Sequence, residues 1–215
     1  MFQKRTVIVF LMFVFLGYSA GYGKEPKSTA EYYPDGKLKA MSIYNDKGLL
    51  DGVTKRYYPS GKIESEKTYR NNVEEGIAKE YYESGKIKSE GNYRNGKKEG
   101  INKRYYENGK LGKEGNYKDG NLEGLDKSYY ESGKLWKEEN YKDGVLNGIN
   151  KRYYENGKLM IDASYKDNER DGIDKSYYES GKLKVEMNFK GGEFISETCY
   201  DEQGNHINCS QSSKQ

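Results

Sequence analysis

The sequence predicts an all-β protein, an elongated antiparallel β-meander or solenoid of about seven 24-residue β-hairpin repeats. Three observations carry that prediction. Paired tyrosines recur every 24 residues, at Tyr57-Tyr58, Tyr81-Tyr82, Tyr105-Tyr106, Tyr129-Tyr130, Tyr153-Tyr154 and Tyr177-Tyr178, and a fixed period of this length is the mark of supersecondary units stacking on their neighbours. Asn-Gly and Asp-Gly turn signals divide each copy into two strand-length segments. Opposite charges fall into register across each proposed hairpin. An earlier copy, at Tyr32-Tyr33, is one residue longer.

The copy Tyr105–Ser128 sets out the elements in order. Asn108-Gly109 and Asp119-Gly120 both offer the positive φ angles of a two-residue type I′ turn; other copies use Ser-Gly at the first turn, as at Ser84-Gly85 and Ser132-Gly133. With Asn108-Gly109 as the turn, Glu107 faces Lys110, Tyr106 faces Leu111 and Lys103 faces Glu114. The same rule pairs Lys55 with Glu66, Lys79 with Glu90, Lys127 with Glu138, Lys151 with Asp162 and Lys175 with Glu186. Each such pair contributes only about 0.2–1 kcal/mol, so their main effect is to fix register. Strand alternation places Tyr106, Leu111, Tyr117, Leu122, Tyr130, Leu135 and Tyr141 on a core face. Tyr105 and Ile101 fall on the opposite face, beside the Lys–Glu pairs. A β-bulge at the Glu-Gly of the second turn would shift this assignment by one residue. Gly100, Gly115 and Gly124 either leave room for a ring over the backbone or only punctuate turns.

Composition fits a thin folded structure. The chain is 33% hydrophobic with a mean hydropathy of -1.12, too polar for a large spherical core. Yet 23 tyrosines and a near balance of 37 basic with 34 acidic residues do not suit a self-repelling disordered chain. The N-terminus differs in kind. Lys4-Arg5, the apolar run Val7 to Leu16 and the small, polar stretch Gly17 to Gly23 follow the order of a secretory signal peptide, with cleavage expected after Gly21 or Gly23. The alternative, a retained anchor, would need ~20 apolar residues to span a membrane. Removing Lys4 and Arg5 takes two charges from the formal +3 and leaves +1. A nearly neutral surface of alternating sign argues against nucleic acid as a partner. The expected organisation is a signal peptide at 1–23, an N-terminal linker at 24–31, the hairpin array at 32–198, and a C-terminal cysteine-containing cap and polar tail at 199–215.

The recurring Tyr-Tyr-Glu-Asn-Gly-Lys-Leu core, followed by Tyr-x-x-Gly and Glu-Gly, resembles the MORN-repeat variant family from roughly Tyr32 to Tyr200. It is most similar to the bacterial YwqK-type group, often labelled the antitoxin half of a toxin–antitoxin pair. The resemblance implies a hairpin-repeat sheet serving as a binding or scaffolding surface. Asn72 and Asn168 depart from the pattern where a second-turn glycine is expected, and the pattern is lost at Glu193-Phe194-Ile195-Ser196.

No converging, repeat-breaking constellation of acid, base and nucleophile is legible, and no phosphate-binding loop, so neither catalytic nor cofactor-binding residues are expected. Cys199 and Cys209 flank the turn-rich Asp201 to Asn205, and the preferred reading is a disulfide closing the last strand edge. A strict two-residue turn at Gln203-Gly204 would put Cys199 opposite Asn208 instead, and a metal site with His206 is the competing reading. A calcium loop at Asp119 to Gly124 is disfavoured because Val145 removes a ligand from the equivalent stretch. The tyrosine rows pack the thin sheet, while the first ring of each pair, at Tyr81, Tyr105, Tyr129, Tyr153 and Tyr177, forms a candidate binding face. The functional expectation is an exported, non-catalytic scaffold binding another protein at the cell envelope or outside the cell. The alternatives are an antitoxin or immunity protein, and a lipid- or glycan-binding surface protein.

Overall fold

The computed structural model describes residues 26–210; the predicted signal peptide and the last five residues lie outside them. Nineteen antiparallel strands and no α-helix occur among the described residues. The chain divides into two compact units between Lys98 and Glu99. The first contains β1 (Lys27–Tyr32), β2 (Leu38–Tyr44), β3 (Gly52–Tyr57), β4 (Ile63–Arg70), β5 (Val73–Tyr81) and β6 (Ile87–Arg94). The second opens inside β7 (Lys97–Tyr105) and continues through β8 (Leu111–Lys118), β9 (Asn121–Leu122), β10 (Gly124–Tyr129), β11 (Leu135–Lys142), β12 (Val145–Leu146) and β13 (Gly148–Tyr153). It ends with β14 (Leu159–Lys166), β15 (Glu169–Arg170), β16 (Gly172–Tyr177), β17 (Leu183–Lys190), β18 (Glu193–Tyr200) and β19 (His206–Ile207). Residues 27–31, expected as linker, belong to β1 and pair with β2. The pattern loss at Glu193 does not end the array either, since β18 continues the ladder on β17.

All six predicted charge pairs are cross-strand partners, from Lys55 with Glu66 to Lys175 with Glu186. The same residues also pair between successive hairpins, Glu66 with Lys79, Glu114 with Lys127, Glu138 with Lys151 and Asp162 with Lys175. One face of each unit therefore carries a continuous row of alternating sign. Hairpin pairs close to salt bridges at 2.7 Å for Lys55–Glu66, 3.4 Å for Lys103–Glu114, 3.6 Å for Lys127–Glu138 and 3.2 Å for Lys175–Glu186.

The two turns of the repeat differ in kind. Asp119-Gly120 is the expected type I′ turn, both residues holding positive φ (51° and 88°) and Tyr117 facing Leu122. The first turn is not: Tyr106 N–H donates to the Lys110 carbonyl, Gly109 N–H donates to the Tyr106 carbonyl, and Gly109, unlike Asn108, has positive φ. Only one residue needs the left-handed region, which is why serine replaces asparagine there without penalty. The ladder consequently slips between Arg104 and Tyr105, so that Leu111 faces Tyr105 rather than Tyr106, and Glu107 does not face Lys110. At Glu123-Gly124 the register changes again between β9 and β10, by two residues where the sequence allowed a bulge of one.

Burial is concentrated on the face opposite the charge row. Ala40, Ser65, Ala78, Asp126, Ser128, Asn150, Ala163, Asp174, Phe189 and Cys199 are the buried side chains there, most of them small. Gly115 belongs to this layer. A Cβ on it would come within 2.5 Å of Asp126 Oδ2 and 2.9 Å of Leu122 Cδ2, so it provides close approach rather than a turn.

Candidate protein-binding face

Most residues of the repeated motif are occupied in joining one repeat to the next. Within each unit, second tyrosines of the pairs donate their hydroxyls to the carbonyl of a tyrosine one repeat on. In the first unit these are Tyr33 to Tyr57 and Tyr58 to Tyr81, both 2.6 Å. In the second they are Tyr106 to Tyr129 and Tyr130 to Tyr153 at 2.6 Å, Tyr154 to Tyr177 at 2.7 Å, and Tyr178 to Tyr200 at 2.8 Å. The first-turn lysines Lys110, Lys134 and Lys158 donate to the carbonyls of Ser132, Glu155 and Ser180 in the next first turn. The glutamate of Glu-Gly does the same work at the other end. Glu75, Glu99 and Glu123 accept from the backbone N–H of Asn95, Asp119 and Asp143, twenty residues on. Where asparagine replaces the second-turn glycine, its amide oxygen is used: Asn72 Oδ1 accepts from Leu50 N–H and Asn168 Oδ1 from Leu146 N–H. That bond offsets the cost of positive φ at an asparagine.

The tyrosines named as a binding face lie beside the charge row, as expected, but they are half-buried and partly engaged. Tyr81 donates to Glu66 Oε2 at 2.9 Å and Tyr153 to Glu138 Oε2 at 2.8 Å. Burial first, then these carboxylates, push both phenols up to about 12. Tyr105, Tyr129 and Tyr177 occupy the equivalent positions opposite Leu111, Leu135 and Leu183. The more exposed apolar groups on this face stand two residues before the ladder lysines. In the first unit they are Val53 and Ile77; in the second they are Ile101, Leu125, Ile149 and Ile173. Ile101 is 60% exposed and Ile149 52%, values that leave most of each side chain in water. The signal was an apolar residue after Gly76, Gly100, Gly124, Gly148 and Gly172 at the repeat period.

On the buried face, Asp126 is 1% exposed, with Lys113 Nζ 3.2 Å from Oδ1. Burial pushes its carboxyl above the usual range, and Lys113 opposes this only in part. A raised folded pKa means that the contribution of Asp126 is most favourable below the unfolded value near 4 and is lost as pH rises through the folded value. Asp126→Asn, which installs the residue found one repeat on at Asn150, is expected to raise stability by about 1 kcal/mol at pH 7. The gain should vanish towards pH 3.5; urea melts of both proteins across that range check it.

At the C-terminus Cys199 and Cys209 are joined, with Cα atoms 5.2 Å apart. The turn is the five-residue form, with Asp201 N–H donating to the Asn205 carbonyl, and Cys199 therefore faces Ile207 rather than Asn208. Glu197, Cys199 and Cys209 cluster closely, but bonded sulfurs offer no thiolate, and the His206 ring packs on Tyr200 with centroids 4.7 Å apart.

The chain was compared with known proteins. No curated protein matches it. The family model described as MORN repeat variant matches seven times, at residues 30–46, 50–71, 74–95, 98–119, 122–143, 146–167 and 170–190. Each 22-residue match spans the paired tyrosines and the first turn, and ends at the next second turn, the unit that the tyrosine hydroxyls and Glu-Gly carboxylates link. With more than half of its residues matched in consecutive copies, the chain belongs to the MORN repeat variant family.

Proposed function

We propose that the protein is an exported, non-catalytic repeat scaffold that binds another protein through the charge-row face of its second unit. The observation that carries this reading is the row Ile101, Leu125, Ile149 and Ile173, exposed in four successive copies while the motif residues around it are engaged in holding repeats together. A sheet needs no exposed aliphatic side chain at each repeat to be stable, and a regular row of them, alternating with Asn116, Asn140 and Ser164 on the intervening strands and bordered by charge, has the mixed character of an interaction surface. Successive members stand two strands apart, about 10 Å. An α-helix presents residues seven apart at about the same spacing, so an amphipathic helix lying across the strands fits the row, its flanking charges meeting the alternating Lys–Glu ladder.

Replacing Leu125, Ile149 and Ile173 together by Thr puts a β-branched side chain suited to a strand at each position and removes apolar area. Capture of the partner from the source cells is expected to fall at least 100-fold while the thermal midpoint stays within a few degrees. Undiminished capture by the folded triple variant would place the site elsewhere. Tyr105→Ser, Tyr129→Ser and Tyr153→Ser provide a second, less clean comparison because that row also supports the ladder. Export is tested by cell fractionation with intact mass: a species beginning at Tyr22 or Lys24 outside the cytoplasm supports it, and a full-length cytoplasmic protein moves the antitoxin reading, suggested by the YwqK-type resemblance, into first place. A lipid- or glycan-binding role would instead give liposome or glycan retention with no protein partner.

A further inference from the structure

The repeats are near-copies, so a place where one copy departs from its neighbours and opens a cavity stands out. One such place lies on the buried face of the second unit, between β11, β13 and β14. A cavity of about 120 Å³ is bordered there by Lys137, Glu139, Asn150, Arg152, Ala163 and Arg170, among others. Its cause is legible in the repeat. Ala163, 3% exposed, occupies the position held by Glu139 one repeat before and by Met187 one repeat after, and its missing side-chain atoms leave the space. Arg152 likewise replaces Ser128 and Ser176, and Arg170 replaces Leu146 and Phe194. Three departures from the neighbouring copies therefore meet at one cavity.

The lining is cationic and partly pre-arranged. The one carboxylate, Glu139, is already neutralised by Lys137 Nζ at 2.8 Å and receives the Tyr141 hydroxyl at 3.0 Å. Arg170 is held by Asp174 through Nε at 3.3 Å and lies over the Phe189 ring at 5.0 Å, which leaves its terminal nitrogens as donors. Arg152 has no ion-pair partner among the described residues. Asn150, 8% exposed, also borders the cavity, and its Oδ1 accepts from Asn140 N–H. Two guanidinium groups lining one small cavity call for an anionic acceptor. The space holds about four waters' worth of volume, too little for a drug-sized or nucleotide ligand but enough for one compact oxyanion.

We propose that this cavity binds a compact oxyanion, a phosphate or carboxylate group, held between the guanidinium groups of Arg152 and Arg170 and the Asn150 amide. The face is opposite the aliphatic row, so the site is independent of the protein-binding surface.

The test is titration of the full mature chain with inorganic phosphate and, separately, with acetate, followed by NMR of the arginine Nε–H resonances; Arg152→Ser assigns the Arg152 signal. Two variants borrow residues that the neighbouring repeats already accommodate. Arg152→Ser should weaken binding at least tenfold, and Ala163→Met, which fills the space, should abolish it, with circular-dichroism melts establishing that both fold. Saturable shifts with millimolar or tighter affinity, lost in both variants, support the site, and the stronger of the two anions identifies the group it takes. No saturable shift with either anion, or binding unchanged in folded Ala163→Met, overturns the proposal.

Discussion

Tyr130→Ala is expected to cost about 3–4 kcal/mol of stability, and Tyr130→Phe about 1 kcal/mol. The ring lies near Trp136, centroids 6.2 Å apart, and its hydroxyl donates to the Tyr153 carbonyl at 2.6 Å, so the alanine removes both packing and the bond while phenylalanine removes only the bond. The effect should also be local. In a repeat array each unit is stabilised by its nearest neighbours, and loss of one link weakens the interface it spans more than the units beyond it. Urea melts supply the free energies, and amide exchange should show protection falling first in the strands on either side of Tyr130. A Tyr130→Phe protein within 0.3 kcal/mol of the parent would mean that the hydroxyl bond, repeated along the array, contributes little.

The second large effect is expected at the other end of the chain. Breaking the Cys199–Cys209 bond releases a loop with a sequence separation of 10, for which chain-entropy loss corresponds to about 2.7 kcal/mol. Cys199 is 2% exposed and packs in the buried layer, and the loop holds the short β19 on the edge of β18. Without the bond that edge strand, only two residues long, has little to retain it, and the released β18 edge becomes available for pairing between molecules. Cys199→Ser with Cys209→Ser should lower the thermal midpoint, with loss of protection confined to β17–β19, and should increase concentration-dependent association. An unchanged midpoint in the double variant would show that the last strand is held by its ladder alone. The stabilisation also depends on compartment, since a bond of this kind persists outside the reducing cytoplasm, consistent with the proposed export.

Much of this architecture was legible because the information is periodic. The 24-residue spacing, the Lys–Glu register and the Asp-Gly turns all rest on local rules that the repeat states six or seven times over. The errors came where two local solutions share one sequence. Asn108-Gly109 suits a two-residue type I′ turn and also a longer turn with only Gly109 left-handed; the copies with Ser84 and Ser132 favoured the second, and Tyr106 accordingly leaves the position opposite Leu111. Residues 27–31 lack the tyrosine signature and read as linker, yet β1 is simply the outer strand of an incomplete first repeat.

The functional surface was harder to read. A hydroxyl bonding 23 residues ahead follows only once strand order is known, so the role of the second tyrosines in joining repeats could not be separated from packing. That role changes the meaning of the motif. Tyr-Tyr, Asn-Gly-Lys and Glu-Gly join one repeat to the next, which is why the proposed binding surface falls on the less prominent Ile101, Leu125, Ile149 and Ile173. The cavity beside Ala163 was invisible for the opposite reason. It depends on a missing side chain at Ala163, and an absence carries no signal until its neighbours are in place.

Site-specific photo-crosslinking in the source cells tests the central claim most directly, with a benzophenone amino acid placed at Ile149 on the aliphatic row or at Arg104, exposed on the opposite face. The account predicts a discrete protein adduct from position 149 that disappears when Leu125 and Ile173 are changed to Thr, and no such adduct from position 104. Adducts from position 104 alone, or none from position 149 in a fully folded protein, would contradict it.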